Sequence, residues 1–401
     1  MASKFDPRAD NNCVDIDIEQ LRSKIEKPWF RSERFVCCPW KKFSRPNLLD
    51  LGKWKFLEKN NSCIPDGEEL DSVLEVHKLY TAKLKMPPDD RIQVTWIGHA
   101  TVLVQFDKVC ILSDPVFLDY CGPNSVTAYK RYRKAPCTIE ELLGIVKIDA
   151  VIISHNHYDH LEEASVKAIG KSAREDETYR KSPVKWFVAK NQKDWIVKNG
   201  INESDVTELD WWEGEDKNIS LNGQTFKFVC TPTQHWCARL PPVDDYKVLW
   251  CGWVVKGPTK SYYFAGDTGY YEELFKAIGK KYGGFDLAVL PIGAYEPRWI
   301  LEFQHVDPAE AVNIHQDIKS KCSIGMHWGT FKTSACEFFV EPPQKVEEEM
   351  KKKKLDPKQF ISLSHGETWC VGDERKIPPF MTYKSREGRH SSADQANNYT
   401  D

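Results

Sequence analysis

A mixed α/β (α+β) fold is predicted by this sequence. Short apolar runs of strand character recur between residues 91 and 326, and from about residue 138 they alternate with helix-period segments. A hydrophobic content of 41% over 401 residues is enough to bury a large core.

The strand runs begin at 91–97. Gly98-His99-Ala100 turns the chain into 101–106, and 109–113 completes a meander that Asp114-Pro115 ends. Residues 138–143 read as a capped helix, and 149–153 as a buried strand. A strand at 185–188, a helix near 191–199 and a strand at 206–209 follow. Further strands are predicted at 225–230, 247–250, 262–265, 286–290 and 322–326. Asp307-Pro308-Ala309-Glu310 is a strong helix start, with an Asp cap, Pro in the first position and Glu three residues after the cap. The lysines at 351–354 suit a helix C-terminus.

Composition narrows the function classes. A net charge of −3 argues against bulk nucleic-acid binding. Thirteen scattered cysteines without a C-x-x-C pair read as reduced thiols, Cys37 and Cys38 included. No signal-peptide core and no membrane-spanning run is present, so the expectation is a peripheral protein on the cytosolic face of intracellular membranes. Three regions are expected: an N-terminal arm at 1–85, a folded domain at 86–384 and a disordered tail at 385–401. Within the arm, Trp29, Phe30, Phe35, Trp40, Phe43, Trp54 and Phe56 interleave with Arg31, Arg34, Lys41, Lys42, Arg45, Lys53 and Lys55. That pattern suits docking on a membrane surface; the alternative is an irregular arm whose aromatics pack on the core.

The chemistry concentrates in Ser154-His155-Asn156-His157-Tyr158-Asp159-His160, just past the strand at 149–153. The spacing H-x-H-x-D-H supplies three imidazoles and a carboxylate within six residues. Imidazole suits zinc, and four ligands exceed what one catalytic ion with an open water position needs, so the motif suggests two metals. The alternative is a polar surface loop rich in histidine. Four later clusters also fall at strand ends: His235 in Gln234-His235-Trp236, Asp267 in Ala265-Gly266-Asp267-Thr268, His327 in Met326-His327-Trp328-Gly329, and His365 in Ser364-His365-Gly366.

A strand-borne His, then Gly-Asp, then another strand-borne His, all after H-x-H-x-D-H, resembles the metallo-β-lactamase superfamily over roughly residues 90–370. The resemblance implies an αββα sandwich with a two-zinc site, making 86–384 a hydrolase domain. It implies that His155, His157 and His235 hold one ion, that Asp159, His160 and His327 hold the second, and that Asp267 bridges. Further segments, Trp96-Ile97-Gly98-His99-Ala100-Thr101, Pro291-Ile292-Gly293-Ala294-Tyr295-Glu296-Pro297-Arg298-Trp299 and Gln304-His305-Val306-Asp307-Pro308, are similar to the N-acyl-phosphatidylethanolamine-hydrolysing phospholipase D family. That likeness implies hydrolysis of a membrane phospholipid to an N-acylethanolamine and phosphatidic acid, and a homodimer. It places Tyr158, Gln304 and His305 near the phosphate. His305 either assists the leaving group or fastens its loop, so the expected catalytic residues are His305, Asp267 and Asp159. Asp114 is expected to orient a ligand imidazole; His99 either does the same or packs. The rival readings are a lactonase or phosphodiesterase acting on a soluble substrate, a nuclease, and a lipid-binding protein without catalysis.

Overall fold

The computed structural model describes residues 18–26, 33–40, 48–58, 60–123 and 128–384. The segment 1–17, the tail from 385, and Trp29, Phe30, Arg31, Lys41, Lys42, Phe43 and Arg45 lie outside the described residues.

Two seven-stranded sheets form the body. The first contains β1 (Gln93–Gly98), β2 (Thr101–Phe106), β3 (Val109–Ser113), β4 (Ala150–Ile153), β5 (Lys185–Ala189) and β6 (Val206–Leu209). The second contains β7 (Ile219–Leu221), β8 (Gln224–Thr231), β9 (Gly252–Lys256), β10 (Ser261–Phe264), β11 (Leu287–Pro291), β12 (Ser323–Met326) and β13 (Phe360–Ile361). The last strand, β14 (Thr368–Cys370), returns to the first sheet beside β1. Both sheets share one plan: an antiparallel meander (β1-β2-β3, β8-β9-β10) continues into three parallel strands (β4-β5-β6, β11-β12-β13). The parallel steps need crossover helices, and these cover the outer faces.

Side-chain alternation sets the layers. In β3, β4 and β5, Ile111, Ile152 and Phe187 face the space between the sheets. Their neighbours Leu112, Val151 and Trp186 face outward, where Val166 and Ile169 of helix Glu163–Glu175 cover them. Phe187 stacks on Phe228 of β8 across the sandwich, ring centroids 3.7 Å apart. Helices Glu272–Tyr282, Pro308–Asp317 and Glu341–Lys352 bury one apolar face each beside the second sheet. Capping boxes form at Thr138 and Asp307, where the sequence predicts helix caps.

One predicted strand is absent. Residues 247–250 are irregular, and the strand is β9, which starts five residues later, at Gly252. The apolar tract runs on through Cys251 to Val255, so hydrophobicity alone does not place the boundary. Leu249 and Trp250 are buried nonetheless, because side chains satisfy their backbone: Gln192 Nε2 donates to Leu249 O and Trp211 Nε1 to Trp250 O.

His315, on helix Pro308–Asp317, is buried against β12 and bonds through Nδ1 to Ser323 Oγ. Burial pushes its pKa down to about 4. The unfolded chain then binds a proton near pH 6.5 that the folded chain refuses until about pH 4. Stability contributed by neutral His315 is therefore present above pH 6.5 and lost as pH falls toward 4. At pH 5.5 the loss is on the order of 1 kcal/mol. Thermal melts of the native chain and His315→Gln at pH 7.5 and 5.5 measure it, with the smaller acid shift expected in the variant.

Candidate metal centre

The site lies along one edge of the sandwich, where the carboxyl ends of strands from both sheets converge. His99 follows β1, Asp114 follows β3, and His155, His157, Asp159 and His160 follow β4. His235 comes after β8, Asp267 after β10 and His327 directly after β12. Asp114 and Asp267 thus occupy equivalent places, each past the last strand of its meander. His160 lies between them: its Nδ1 is 2.7 Å from Asp114 Oδ2 and its Nε2 3.2 Å from Asp267 Oδ2. Gly266, at φ +61°, makes this approach possible, since a Cβ there would stand 2.7 Å from Ser154 Cβ.

Ring nitrogens gather in two sets. His155 Nε2 is 2.7 Å from His157 Nδ1, which is 3.3 Å from His235 Nε2. The second set is Asp159, His160 and His327, with His99 beside them. Asp267 Oδ2 stands between the sets, 3.1 Å from His327 Nε2, 3.2 Å from His160 Nε2 and 3.7 Å from His235 Nε2. All seven predicted metal ligands therefore meet in one cluster.

The partners behind the cluster fix which nitrogen faces inward. Ser154 Oγ donates to Asp114 Oδ2 and lies 2.9 Å from His155 Nδ1, so it accepts from that nitrogen. Asp114 takes the Nδ1 proton of His160, and Gln304 O that of His235 at 3.2 Å. Each arrangement leaves Nε2 directed at the cluster. His99, whose part the sequence leaves open, puts Nε2 2.9 Å from Asp159 Oδ2 and orients that carboxylate. His365 stays out: it stacks on Trp96 and bonds Thr330 Oγ1 through Nε2. The role of Ser154 is not evident from the sequence, because its partner Asp114 is 40 residues away.

Burial drives His155 well below the ordinary histidine range, His157 to about 4 and His235 to about 3. These three imidazoles are neutral at pH 7 and able to ligate. Burial acts the same way on His160 and His327, but Asp267 and Asp159 outweigh it and raise both. Burial would likewise raise Asp267, yet His160 and His327 hold it well below the carboxylate range. The carboxylates thus call for positive charge at this point. His160 Nε2 and His327 Nε2, both facing the cluster, and Asp267 Oδ1 are buried without a hydrogen-bond partner. Orphaned donors and acceptors of this kind, converging with neutral imidazoles, fit divalent cations.

The predicted substrate residues border the cluster. His305 Nδ1 is 4.0 Å from Asp267 Oδ2, and burial lowers this imidazole to about 3. The Gln304 side chain meets the Trp236 indole, and the Trp236 ring lies against His157 with centroids 4.6 Å apart. Tyr158 sits beneath the Arg239 guanidinium, 4.0 Å from ring centroid to Cζ.

Residues 111–328 match the family model of the β-lactamase superfamily domain. The chain is 38% identical over 334 residues to N-acyl-phosphatidylethanolamine-hydrolyzing phospholipase D 1 of Caenorhabditis elegans, covering 82% of this chain and 89% of that protein. It belongs to the N-acyl-phosphatidylethanolamine-hydrolysing phospholipase D family. The mitochondrial member from Saccharomyces cerevisiae is 35% identical over 256 residues, 63% of this chain and 50% of the yeast protein. An isothiocyanate hydrolase from Delia radicum gut bacteria has the same fold at 18% identity and a TM-score of 0.50, covering 69% of this chain and 98% of its own. The metallo-β-lactamase fold expected from the sequence is thereby established, and the chain is a metal-dependent hydrolase of that superfamily.

Arm residues Arg34, Phe35 and Trp40 pack on this body. Arg34 Nη2 donates to Val243 O at 3.0 Å, Phe35 is buried, and Trp40 stacks on Tyr271. Among the described residues no helix is long and apolar enough to cross a membrane, and twelve cysteines are free thiols.

Proposed function

We propose that the chain is a di-zinc phospholipase D that hydrolyses N-acyl-phosphatidylethanolamine to an N-acylethanolamine and phosphatidic acid. The observation that carries this reading is the pair of ligand sets meeting at Asp267, with Gln304 and His305 beside them. His155, His157 and His235 would hold one zinc, Asp159, His160 and His327 the other, and Asp267 both. Two cations held there would lower the pKa of water toward neutrality and polarise a phosphoryl oxygen.

The residues around the cluster then supply position and proton transfer. A new P–O bond forms to hydroxide, and the P–O bond to the ethanolamide breaks in line with it. The departing oxygen needs a proton. His305 is neutral in the resting chain, so it can take the proton that water gives up on becoming hydroxide and hand it to that oxygen. Tyr158 and Gln304 would contact the phosphate.

The proposed substrate is a membrane lipid, so docking on a membrane surface belongs to the proposal, and the family resemblance adds a homodimeric assembly. Helix Leu48–Leu57 exposes Leu49 and Leu57, and its Trp54 donates to Ser334 O on the segment after His327. Trp299 and Tyr129 are half-exposed nearby; Tyr129 reaches Ser334 and Trp299 reaches Glu58. These apolar side chains suit contact with lipid.

Incubation with N-acyl-phosphatidylethanolamine in mixed micelles, with metal assayed on the same sample, tests the reading. N-acylethanolamine and phosphatidic acid from protein with about two zincs per chain are expected. Two zincs with turnover only of lactones or soluble phosphodiesters would replace the lipid reading.

A further inference from the structure

The strand-end tripeptide Gln234-His235-Trp236 grips the loop that carries the substrate residues, one rung per side chain. Gln234 Nε2 donates to Phe303 O at 2.8 Å, and His235 Nδ1 donates to Gln304 O at 3.2 Å. Trp236 Nε1 donates to Gln304 Oε1. The ladder is braced from behind. Trp40 Nε1 takes the remaining acceptor of Gln234, and Gly269 N bonds Gln234 O at 2.8 Å. Gly269 also has to be glycine for the loop to lie this close, since a Cβ there would stand 2.1 Å from Phe303 O.

The third rung has a chemical consequence. An indole nitrogen only donates, so Gln304 must present its oxygen to Trp236. The amide NH2 is then turned the opposite way. A side-chain amide free to rotate would offer its donor or its acceptor to a phosphate with similar ease, and the acceptor would repel the anion.

We propose that Trp236 is a positioning residue, fixing the Gln304 amide so that its NH2 is the donor to a phosphoryl oxygen of the substrate. The assignment rests on the phosphodiesterase reading above. It adds that one dipeptide, His235-Trp236, sets the register between a metal ligand and the phosphate-facing amide.

Orthophosphate affinity of the zinc-reconstituted full chain, measured by calorimetry, tests the assignment independently of the lipid. Trp236→Phe should keep its metal content and weaken orthophosphate binding by about tenfold, the loss of one hydrogen bond to a charged group. Gln304→Ala should lose about as much, and the double variant no more than Gln304→Ala alone. Gln304→Glu satisfies Trp236 yet presents oxygen to the anion, so it should bind at least as weakly as Gln304→Ala. That variant decides the question if Trp236→Phe does not fold. Orthophosphate affinity unchanged in Trp236→Phe, multiplying losses in the double variant, or native affinity in Gln304→Glu would overturn the proposal. A non-additive loss of affinity in a chain that leaves N-acyl-phosphatidylethanolamine intact would sink the substrate reading and leave the ladder standing.

Discussion

Asp267→Asn is expected to release metal and abolish turnover together. Asparagine keeps the volume and one oxygen but removes the charge. Asp267 Oδ2 is the atom that approaches nitrogens of both sets, at 3.1 Å to His327, 3.2 Å to His160 and 3.7 Å to His235. Two cations facing mostly neutral imidazoles need that charge, and among the described residues Asp159 offers the cluster its only other inward carboxylate. The loss of activity should exceed about a hundredfold, beyond what removing an outer hydrogen-bond partner of a ligand costs. Elemental analysis and rate measurement on the same preparation check this. A variant with full metal and reduced rate would show that Asp267 does not bridge.

His305→Ala is expected to separate the two properties. His305 Nδ1 is 4.0 Å from Asp267 Oδ2, and its loop is held independently, by Arg298 Nη1 on His305 O and by the bond from Val306 N to Thr268 O. Removing the imidazole leaves both bonds, since they use His305 O and Val306 N of the backbone rather than the ring. Metal content should therefore stay near the native value while kcat falls by about 10²–10⁴, the usual contribution of a positioned acid or base. Restoration of rate for a substrate whose leaving alcohol is strongly acidic would add support, because such an oxygen departs without a proton. Loss of zinc in His305→Ala would mean that the residue is a ligand.

Much of the site was legible because its residues follow strand ends. H-x-H-x-D-H after an apolar run announces ligands by spacing alone, and His235, Asp267 and His327 gain meaning from their order after it. Ser154 and Trp236 act through partners 40 and 68 residues away, so no local pattern reveals them. For His99 the sequence left orienting a ligand and plain packing open; only the folded chain sets it against Asp159. The meander β1-β2-β3 was readable from alternation because turns punctuate it. In the second sheet, one unbroken apolar tract from Val248 to Val255 contains both a buried irregular segment and β9. Pairing with β8 and β10, and the bond from Trp253 Nε1 to Ile153 O, select the strand. The arm's aromatics show why composition underdetermines a surface: Phe35 and Trp40 pack on the body, whereas Leu49 and Leu57 face outward.

Hydrolysis of N-acyl-phosphatidylethanolamine in water enriched in oxygen-18, followed by mass spectrometry of both products, tests the central claim most directly. Attack at phosphorus on the ethanolamide side places one labelled oxygen in the phosphatidic acid and none in the N-acylethanolamine. Label in the N-acylethanolamine, or a diacylglycerol product, would contradict the proposed bond cleavage and with it the arrangement of His305 toward the leaving oxygen.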